Sequence, residues 1–143
     1  MKVSDILKEK GADVVTVGPQ VAVADAAQMM AVRDIGALVV TENNQVVGVV
    51  THREVSAGVA QYGSHAAVLK VRDVMKHASI PVSRDESIKT VMALMTRYRL
   101  THLPVLEGER LVGIVSIGDV VKHRLTDLEM ETSVLRDVYI AAH

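Results

Sequence analysis

Two short stretches of the sequence place a hydroxyl and a carboxylate three residues apart, each where a helix is predicted to begin. One runs from Ser116 to Asp119 and the other from Thr51 to Glu54. At a helix start the carboxylate of Asp119 can accept hydrogen bonds from two sugar hydroxyls, while the Ser116 hydroxyl and the unpaired backbone N–H groups favour a phosphate. The same spacing also fits a capping box, in which both side chains only stabilise the helix. From these residues alone both interpretations stay open.

No other group of residues in the sequence predicts catalysis or metal binding. There is no cysteine, so thiolate metal sites and cysteine nucleophiles are excluded. The six histidines are scattered, and the glycines form neither a P-loop nor a dinucleotide-binding motif. We therefore predict no metal site, no catalytic cofactor and no enzymatic activity.

Composition narrows the class of protein further. The chain has 143 residues, 49% hydrophobic and 23% charged, with a formal net charge of −1, which predicts one compact domain that binds neither nucleic acid nor a membrane. No apolar segment is long enough to cross a membrane and the N-terminus lacks a secretory core, so a cytoplasmic location is predicted. The chain contains no Phe and no Trp, which leaves few aromatic platforms for stacking a nucleobase.

An internal repeat organises the elements that carry these residues. Residues 14–56 align with residues 79–121 at a constant shift of 65 without a gap, and nine of the 43 pairs are identical. A short prelude also recurs, residues 3–8 against residues 71–76, at a shift of 68. Such a gapless register indicates two copies of one structural unit.

Each copy predicts the same order of elements. A short extended piece is followed by a helix, two strands joined by a turn pair, and a final helix. The turn pairs are Asn43-Asn44 and Gly108-Glu109. Neither copy is long enough to be stable alone, so we predict an α/β (α+β) fold in which tandem β-α-β-β-α repeats pack sheet against sheet as one pseudo-two-fold module. The predicted bounds are 1–62 for the first repeat, 63–70 for a connector, 71–124 for the second repeat and 125–143 for a C-terminal helical extension.

The C-terminal residues predict a long amphipathic helix. Apolar residues recur mainly at steps of three, four or seven, with charged residues between them. These apolar positions are Val120, Val121, Leu125, Leu128, Val134, Leu135 and Val138. We expect a break near Thr126 or Thr132, and a partner for the apolar face that is either a second copy in a homodimer or the chain's own module.

One sequence pattern occurs in both copies: Gly, two hydrophobic residues, Ser or Thr, two further residues and an acid. It lies in Val47-Gly48-Val49-Val50-Thr51-His52-Arg53-Glu54-Val55 and in Val112-Gly113-Ile114-Val115-Ser116-Ile117-Gly118-Asp119-Val120, the second preceded by Leu100-Thr101-His102-Leu103-Pro104-Val105. With this pattern the chain resembles the paired cystathionine-β-synthase (CBS) domain family from Val3 to about Arg124. The resemblance implies a disc-like module whose clefts bind adenosyl ligands such as AMP, ADP, ATP, S-adenosylmethionine or NAD, and which regulates a partner without doing chemistry.

The resemblance implies a ligand site in the second copy, where Asp119 binds the ribose and Ser116 lies near the phosphate. His102 stands where the family often has a basic residue facing the phosphate. The backbone of the strand that contains Pro104 would meet adenine, and this proline removes a ladder donor, which marks an edge or a bulge facing the cleft. The other residues of this site are Gly118, Leu103 and an apolar wall for the base, formed by Ile80, Pro81 and Val82.

The first copy departs from the family pattern. Glu54 replaces the ribose-binding Asp, and Val39 replaces the strand Pro. Gly36-Ala37 replaces Thr101-His102. The longer carboxylate leaves ribose binding open, and the second copy's cleft is predicted to be the better occupied one. The candidate contacts in the first copy's cleft are Thr16, Ala37, Thr51, Arg53 and Glu54.

These observations predict a regulatory module that binds an adenine nucleotide (AMP, ADP, ATP or NAD(H)) in the clefts between its repeats. Because no catalytic group accompanies the clefts, the module would signal its occupancy to a separate, unidentified protein. The alternative is a protein-interaction or oligomerisation scaffold whose clefts are vestigial or bind S-adenosylmethionine.

Overall fold

The computed structural model describes residues 1–77 and 80–142, and residues 78, 79 and 143 of the predicted second repeat and extension lie outside the described residues. The first repeat contains α1 (Val3–Lys10), β1 (Thr16–Val17), α2 (Val23–Arg33), β2 (Ala37–Glu42), β3 (Gln45–Thr51) and α3 (His52–Tyr62), followed by a 3-10 helix at Gly63–Val68. The second contains α4 (Val71–Val74), β4 (Lys76–His77), α5 (Ile88–Tyr98), β5 (His102–Glu107), β6 (Arg110–Ser116) and α6 (Ile117–Ala142). The predicted mixed class of helix and strand is confirmed.

The strands form a four-stranded sheet in the order β1-β2-β3-β4 and a two-stranded antiparallel sheet, β5-β6. The two sheets meet where β3 contacts β6. Both predicted turn pairs are confirmed. Asn43 and Asn44 turn the β2-β3 hairpin with φ values of 53° and 62°, and Gly108 turns the β5-β6 hairpin with a φ of 65°. These are left-handed values that a tight hairpin turn requires and that Asn and Gly adopt readily.

The extended segment around Val82, which precedes α5, forms fewer strand pairs than its counterpart β1. Val82 forms a single parallel bridge with Val105. In the first repeat the Val39 N–H donates to the Val15 carbonyl at 3.2 Å. Pro104 stands in the place of Val39 and has no N–H to donate. This missing donor explains why β1 has no full equivalent in the second repeat.

The two preludes, residues 3–8 and 71–76, each pack in the core of the opposite repeat. α1, from the start of the first repeat, packs in the core of the second, and the Val3 N–H donates to the Glu86 carbonyl at 2.9 Å. α4, from the start of the second repeat, packs in the core of the first, and the Val71 N–H donates to the Val21 carbonyl at 2.8 Å. Because each core is completed by a helix of the other repeat, the predicted bounds at 62 and 71 do not separate two independent cores.

α6 is one unbroken helix, so the break predicted near Thr126 or Thr132 is wrong. Each threonine hydroxyl donates to the carbonyl four residues earlier, Thr126 to Lys122 at 3.2 Å and Thr132 to Leu128 at 2.8 Å, and this bond leaves the helix continuous. The predicted extension is therefore the continuation of a helix that begins at residue 117. Its large exposed hydrophobic side chains are Ile117, Val121, Leu125, Leu128, Met130, Val134, Leu135, Val138, Tyr139 and Ile140.

The described part of the chain contains neither a membrane span nor a cluster of metal ligands. Within residues 1–77 and 80–142, no helix is both long enough and apolar enough to cross a membrane. In the same residues, no three His, Asp or Glu side chains lie close enough together to hold a metal ion.

Candidate ligand-binding clefts

Ser116 and Asp119 form two hydrogen bonds with each other across the first turn of α6. The Asp119 N–H donates to Ser116 Oγ at 3.1 Å, and the Ser116 N–H donates to Asp119 Oδ2 at 2.9 Å. Gly118 lies between them, and a Cβ atom there would stand 3.7 Å from Ser116 Oγ. The capping box is therefore formed. It does not prevent ligand binding, because the carboxylate uses only one of its two oxygens for capping.

Lys10 of α1 is the ion-pair partner of Asp119. Its Nζ lies 2.7 Å from Asp119 Oδ2, the oxygen that also accepts from Ser116. Burial alone would raise the pKa of Asp119, but the hydrogen bonds from Lys10 and from the Ser116 N–H outweigh burial and lower it. The carboxylate is therefore ionised at neutral pH, and the bonds from Lys10 and from the Ser116 N–H both end on Oδ2. Sequence reasoning missed Lys10, because only the exchange of preludes brings it to this site.

A cavity of about 210 Å³ lies between the two repeats beside Ser116, and we call it the Ser116 cleft. Its walls are mainly aliphatic, and Asp119 is not among the described residues that line it but is hydrogen-bonded to Ser116, which is. The second repeat contributes His102, Ile114 and Ser116, and the first contributes Asp13, Val14, Val15, Ile35, Gly36 and Ala37. The cleft is therefore a product of both repeats.

The apolar wall of the Ser116 cleft differs from the predicted one. Ile80, Pro81 and Val82 are absent from the described residues that line it, and Val82 is only 3% exposed in the second core. Val14 and Val15 of the first repeat form this wall instead. Because the cleft lies between the copies, Ser116 and this wall come from different copies, and a ligand contact from Ile80, Pro81 or Val82 stays a prediction.

Leu103 and Pro104 lie behind the surface of the Ser116 cleft. Leu103 is 0% exposed in the second core, and Pro104 is buried opposite Ile114 on the β5-β6 ladder. Ile114 is the residue of this pair that reaches the cavity. The side chains of Leu103 and Pro104 are therefore not available to a ligand, and a contact from their backbone stays a prediction.

Gly36 and Ala37 give the Ser116 cleft its space. A Cβ atom at Gly36 would stand 3.5 Å from both Cε1 and Nε2 of His102. A larger side chain would therefore fill the volume beside the His102 ring. In the sequence these two small residues are a departure of the first copy from the family pattern and Ala37 is a candidate contact in its cleft, whereas the structure places both in the Ser116 cleft.

The pseudo-equivalent cavity beside Thr51, which we call the Thr51 cleft, is nearly closed at about 20 Å³. Thr101 and His102 stand here at the positions that Gly36 and Ala37 hold in the Ser116 cleft, and their larger side chains fill the space. The lining residues are Val49, Thr51, Arg53, Glu54, Lys76, Arg99, Leu100, Thr101 and His102.

Thr51 is bonded to two polar neighbours in the Thr51 cleft. Its Oγ1 accepts from the Arg53 N–H at 3.2 Å and donates to the Glu54 carboxylate at 3.1 Å. Thr16, which the sequence places with them, instead lines a separate cavity of about 510 Å³ that also includes Asp13. The Ser116 cleft is thus the roomier of the two equivalent clefts, and its occupancy stays a prediction.

His102 lies between the two clefts and lines both of them. Its Nδ1 is 3.0 Å from Thr101 Oγ1, and the tautomer decides which atom donates. Burial lowers the pKa of His102, and the nearby Lys10 ammonium lowers it further. The imidazole is therefore neutral at pH 7, so a phosphate contact from His102 would be a neutral hydrogen bond and not that of a fixed cation.

The fold and the clefts define a class of protein: a module of two β-α-β-β-α repeats that exchange their prelude helices and enclose a pair of clefts. The family model for the CBS domain matches the chain twice, at residues 3–60 and 71–126. The chain belongs to the CBS domain family, and the resemblance seen in the sequence is confirmed.

Related proteins share the fold along most of the chain. The crystal structure of the CBS-domain containing protein ATU1752 from Agrobacterium tumefaciens is 40% identical in sequence, with a TM-score of 0.84 over 87% of this chain and 99% of its own. The mitochondrial CBS domain-containing protein CBSX3 from Arabidopsis thaliana is 32% identical over 84% of this chain. The present chain spans 63% of the length of that plant protein.

A third structural neighbour was solved with adenosyl ligands. It is the CBS domain pair of protein MJ0100 in complex with 5′-methylthioadenosine and S-adenosyl-L-methionine. It is 22% identical, with a TM-score of 0.78 over 89% of this chain and 98% of its own. This level of identity shows the shared fold, and the two ligands are those of MJ0100.

Proposed function

We propose that this CBS pair is a regulatory ligand-sensing module. It binds an adenine nucleotide (AMP, ADP, ATP or NAD(H)) in the Ser116 cleft and signals its occupancy to a separate protein. The observation that carries the proposal is a cleft of about 210 Å³ between the repeats, lined by aliphatic side chains and by Ser116, the hydrogen-bond partner of the ionised Asp119. The adenosyl ligands of MJ0100, a protein of the same fold, support this ligand class.

The residues of the Ser116 cleft fit the parts of such a ligand. Val15, Ile35 and Ile114 would hold the adenine ring between aliphatic side chains, in a chain that has no Phe or Trp. Asp119 Oδ1 would accept from the ribose hydroxyls, and the first turn of α6 would lie near the phosphate. The cavity is smaller than the roughly 300–1,000 Å³ of common ligand pockets, so the phosphates extend beyond it.

Calorimetric titration tests the proposed function. We expect at least one of AMP, ADP, ATP and NAD(H) to bind with a dissociation constant in the micromolar range. Ribose 5-phosphate is the control, and it should bind far more weakly because without the base the aliphatic walls contribute nothing. If only S-adenosylmethionine binds, the sensing function stands and S-adenosylmethionine takes the place of the adenine nucleotide as the proposed ligand. If none of these ligands binds at millimolar concentration, the sensing function is wrong.

A scaffold that acts through assembly is the second candidate function, and the exposed apolar side chains of α6 favour it. In either function we propose a homodimer in which two copies of α6 cover each other's apolar face. Charged residues such as Arg124 and Glu131 flank this face and would form the rim of the interface.

Replacing Leu135 by Glu is expected to dissociate this dimer. Leu135 is 70% exposed on α6, and burying a new carboxylate in an apolar interface carries a large desolvation cost. Arg136→Gln is the matched control, because it changes the net charge equally at the neighbouring polar position. Light scattering should give twice the 15.5 kDa of one chain for the wild type and the control, and one chain for Leu135→Glu. A wild-type mass of one chain would reject the dimer.

Two further parts of the proposal stay predictions. A module without enzymatic activity is predicted from the sequence, and direct assays for hydrolysis of bound nucleotide would test it. A cytoplasmic location is likewise a prediction from the sequence.

A further inference from the structure

The Thr51 cleft carries an excess of positive charge. Arg53 of α3, Lys76 of β4 and Arg99, the residue that follows α5, line it, and Glu54 is its acidic residue. Among the described residues, none of these three cationic side chains has an ion-pair or hydrogen-bond partner, whereas Glu54 accepts from Thr51. Three positive charges therefore face one negative charge at a single small cavity. His102, which also lines it, is neutral at pH 7 because burial lowers its pKa.

Two of the three cationic positions have equivalents of different charge in the other copy, while Lys76 corresponds to Lys8 at the shift of 68. At the shift of 65, Arg53 corresponds to Gly118 and Arg99 corresponds to Asp34. Asp34 and Arg99 have nearly the same left-handed backbone, with φ values of 51° and 53°. Asp adopts this conformation more readily than Arg, so the positive charge at Arg99 occupies a backbone that does not favour it. The two copies thus share a geometry and differ in charge.

The size of the Thr51 cleft restricts what it can bind. A cavity of about 20 Å³ has no room for a nucleoside, while the three cationic side chains are exposed at its mouth. The charges at this mouth therefore favour a small anion with several charges over a nucleoside. Guanidinium groups match phosphate oxygens in pairs, and an ammonium adds a point charge.

We propose that the Thr51 cleft is an oligophosphate site, in which Arg53, Lys76 and Arg99 bind phosphate or pyrophosphate groups, and not a second nucleoside site. The oligophosphate is either a free anion or the tail of a nucleotide. Binding of a free anion does not depend on the function proposed for the Ser116 cleft. Binding of a nucleotide tail does, because the nucleoside would have to lie in the Ser116 cleft.

Titration with pyrophosphate at low ionic strength tests the oligophosphate site. The informative variant is Arg99→Asn, because Asn removes the charge and accepts the left-handed backbone without loss of stability. The matched control is Arg97→Gln, which removes the same charge two residues away, where Arg97 lies over the Tyr98 ring at 5.5 Å. We expect the wild type and Arg97→Gln to bind pyrophosphate alike and Arg99→Asn to bind at least about tenfold more weakly.

The outcomes separate this site from the proposed function. Absence of saturable pyrophosphate binding by the wild type, or equal losses in both variants, would overturn the oligophosphate site. A loss of affinity for ADP but not for adenosine in Arg99→Asn would support it and identify the anion as a nucleotide tail. Pyrophosphate binding that depends on Arg99 in a chain that binds no adenosine would support the site and reject the nucleotide sensor.

Discussion

Replacing Asp119 by alanine is expected to weaken adenosine binding by about ten- to a hundredfold. The variant removes the carboxylate oxygen that we propose accepts from the ribose hydroxyls. Hydrogen bonds to a charged group contribute about 1.5–3 kcal/mol each, which corresponds to this range of affinity. Calorimetric titration of adenosine, which carries no phosphate, measures the loss without a contribution from the anion-binding residues.

Two control variants separate the ribose contact from the other roles of Asp119. Lys10→Met breaks the 2.7 Å ion pair but keeps the carboxylate, so adenosine affinity should stay within about twofold. Asp73→Ala removes a similar capping bond, from the Lys70 N–H at 2.9 Å, at the start of α4. Losing such a bond costs about 1 kcal/mol, so thermal unfolding is recorded for every variant. Equal adenosine binding by the wild type and Asp119→Ala would place the site elsewhere.

Replacing Ile6 by alanine is expected to lower the free energy of unfolding by about 2–5 kcal/mol. Ile6 is 1% exposed and belongs to the first repeat in sequence but to the second core in space. Removing three buried carbons from α1 therefore leaves a cavity between α1 and the second repeat. Urea denaturation followed by circular dichroism measures the loss.

Hydrogen exchange shows which core depends on Ile6. Because α1 completes the second core, amides of α5 and β5 should exchange faster in Ile6→Ala at a urea concentration where the fold persists. Lys8→Ala is the control on the same helix, and since Lys8 is exposed it should change stability by less than about 0.5 kcal/mol. Faster hydrogen exchange confined to the amides of α2 and β2 would contradict the packing of α1 in the second core.

The order of the elements could be predicted from the sequence because its determinants are local. The gapless register aligned both copies, and Asn43-Asn44 and Gly108 are turn residues wherever they occur. The break expected at Thr126 failed for an equally local reason. A threonine hydroxyl inside a helix can donate to the carbonyl four residues earlier, and the helix then continues. The sequence does not show whether the hydroxyl makes this bond.

The clefts could be predicted only in part, because each contains residues of both copies. The spacing of Ser116 and Asp119 predicted a bonded pair at a helix start, which the structure contains. The same alignment could not show that Lys10 reaches Asp119 or that Gly36 faces His102, since these contacts cross between repeats. The internal repeat shows which positions of the two copies are equivalent. Only the packing of the two copies shows which copy provides the residues that face each position in a cleft.

The exchanged preludes also determine when this chain can fold during its synthesis. The bond between Val3 and Glu86 joins residues 83 positions apart, which a ribosome adding 5–20 residues per second makes roughly 4–17 s apart. Through that interval the apolar side of α1 has no core to enter, and the first repeat waits in the same way for Val71 of α4. The first core therefore becomes complete once residues 71–75 have emerged, whereas the second core has all of its parts only when Val120 has been made.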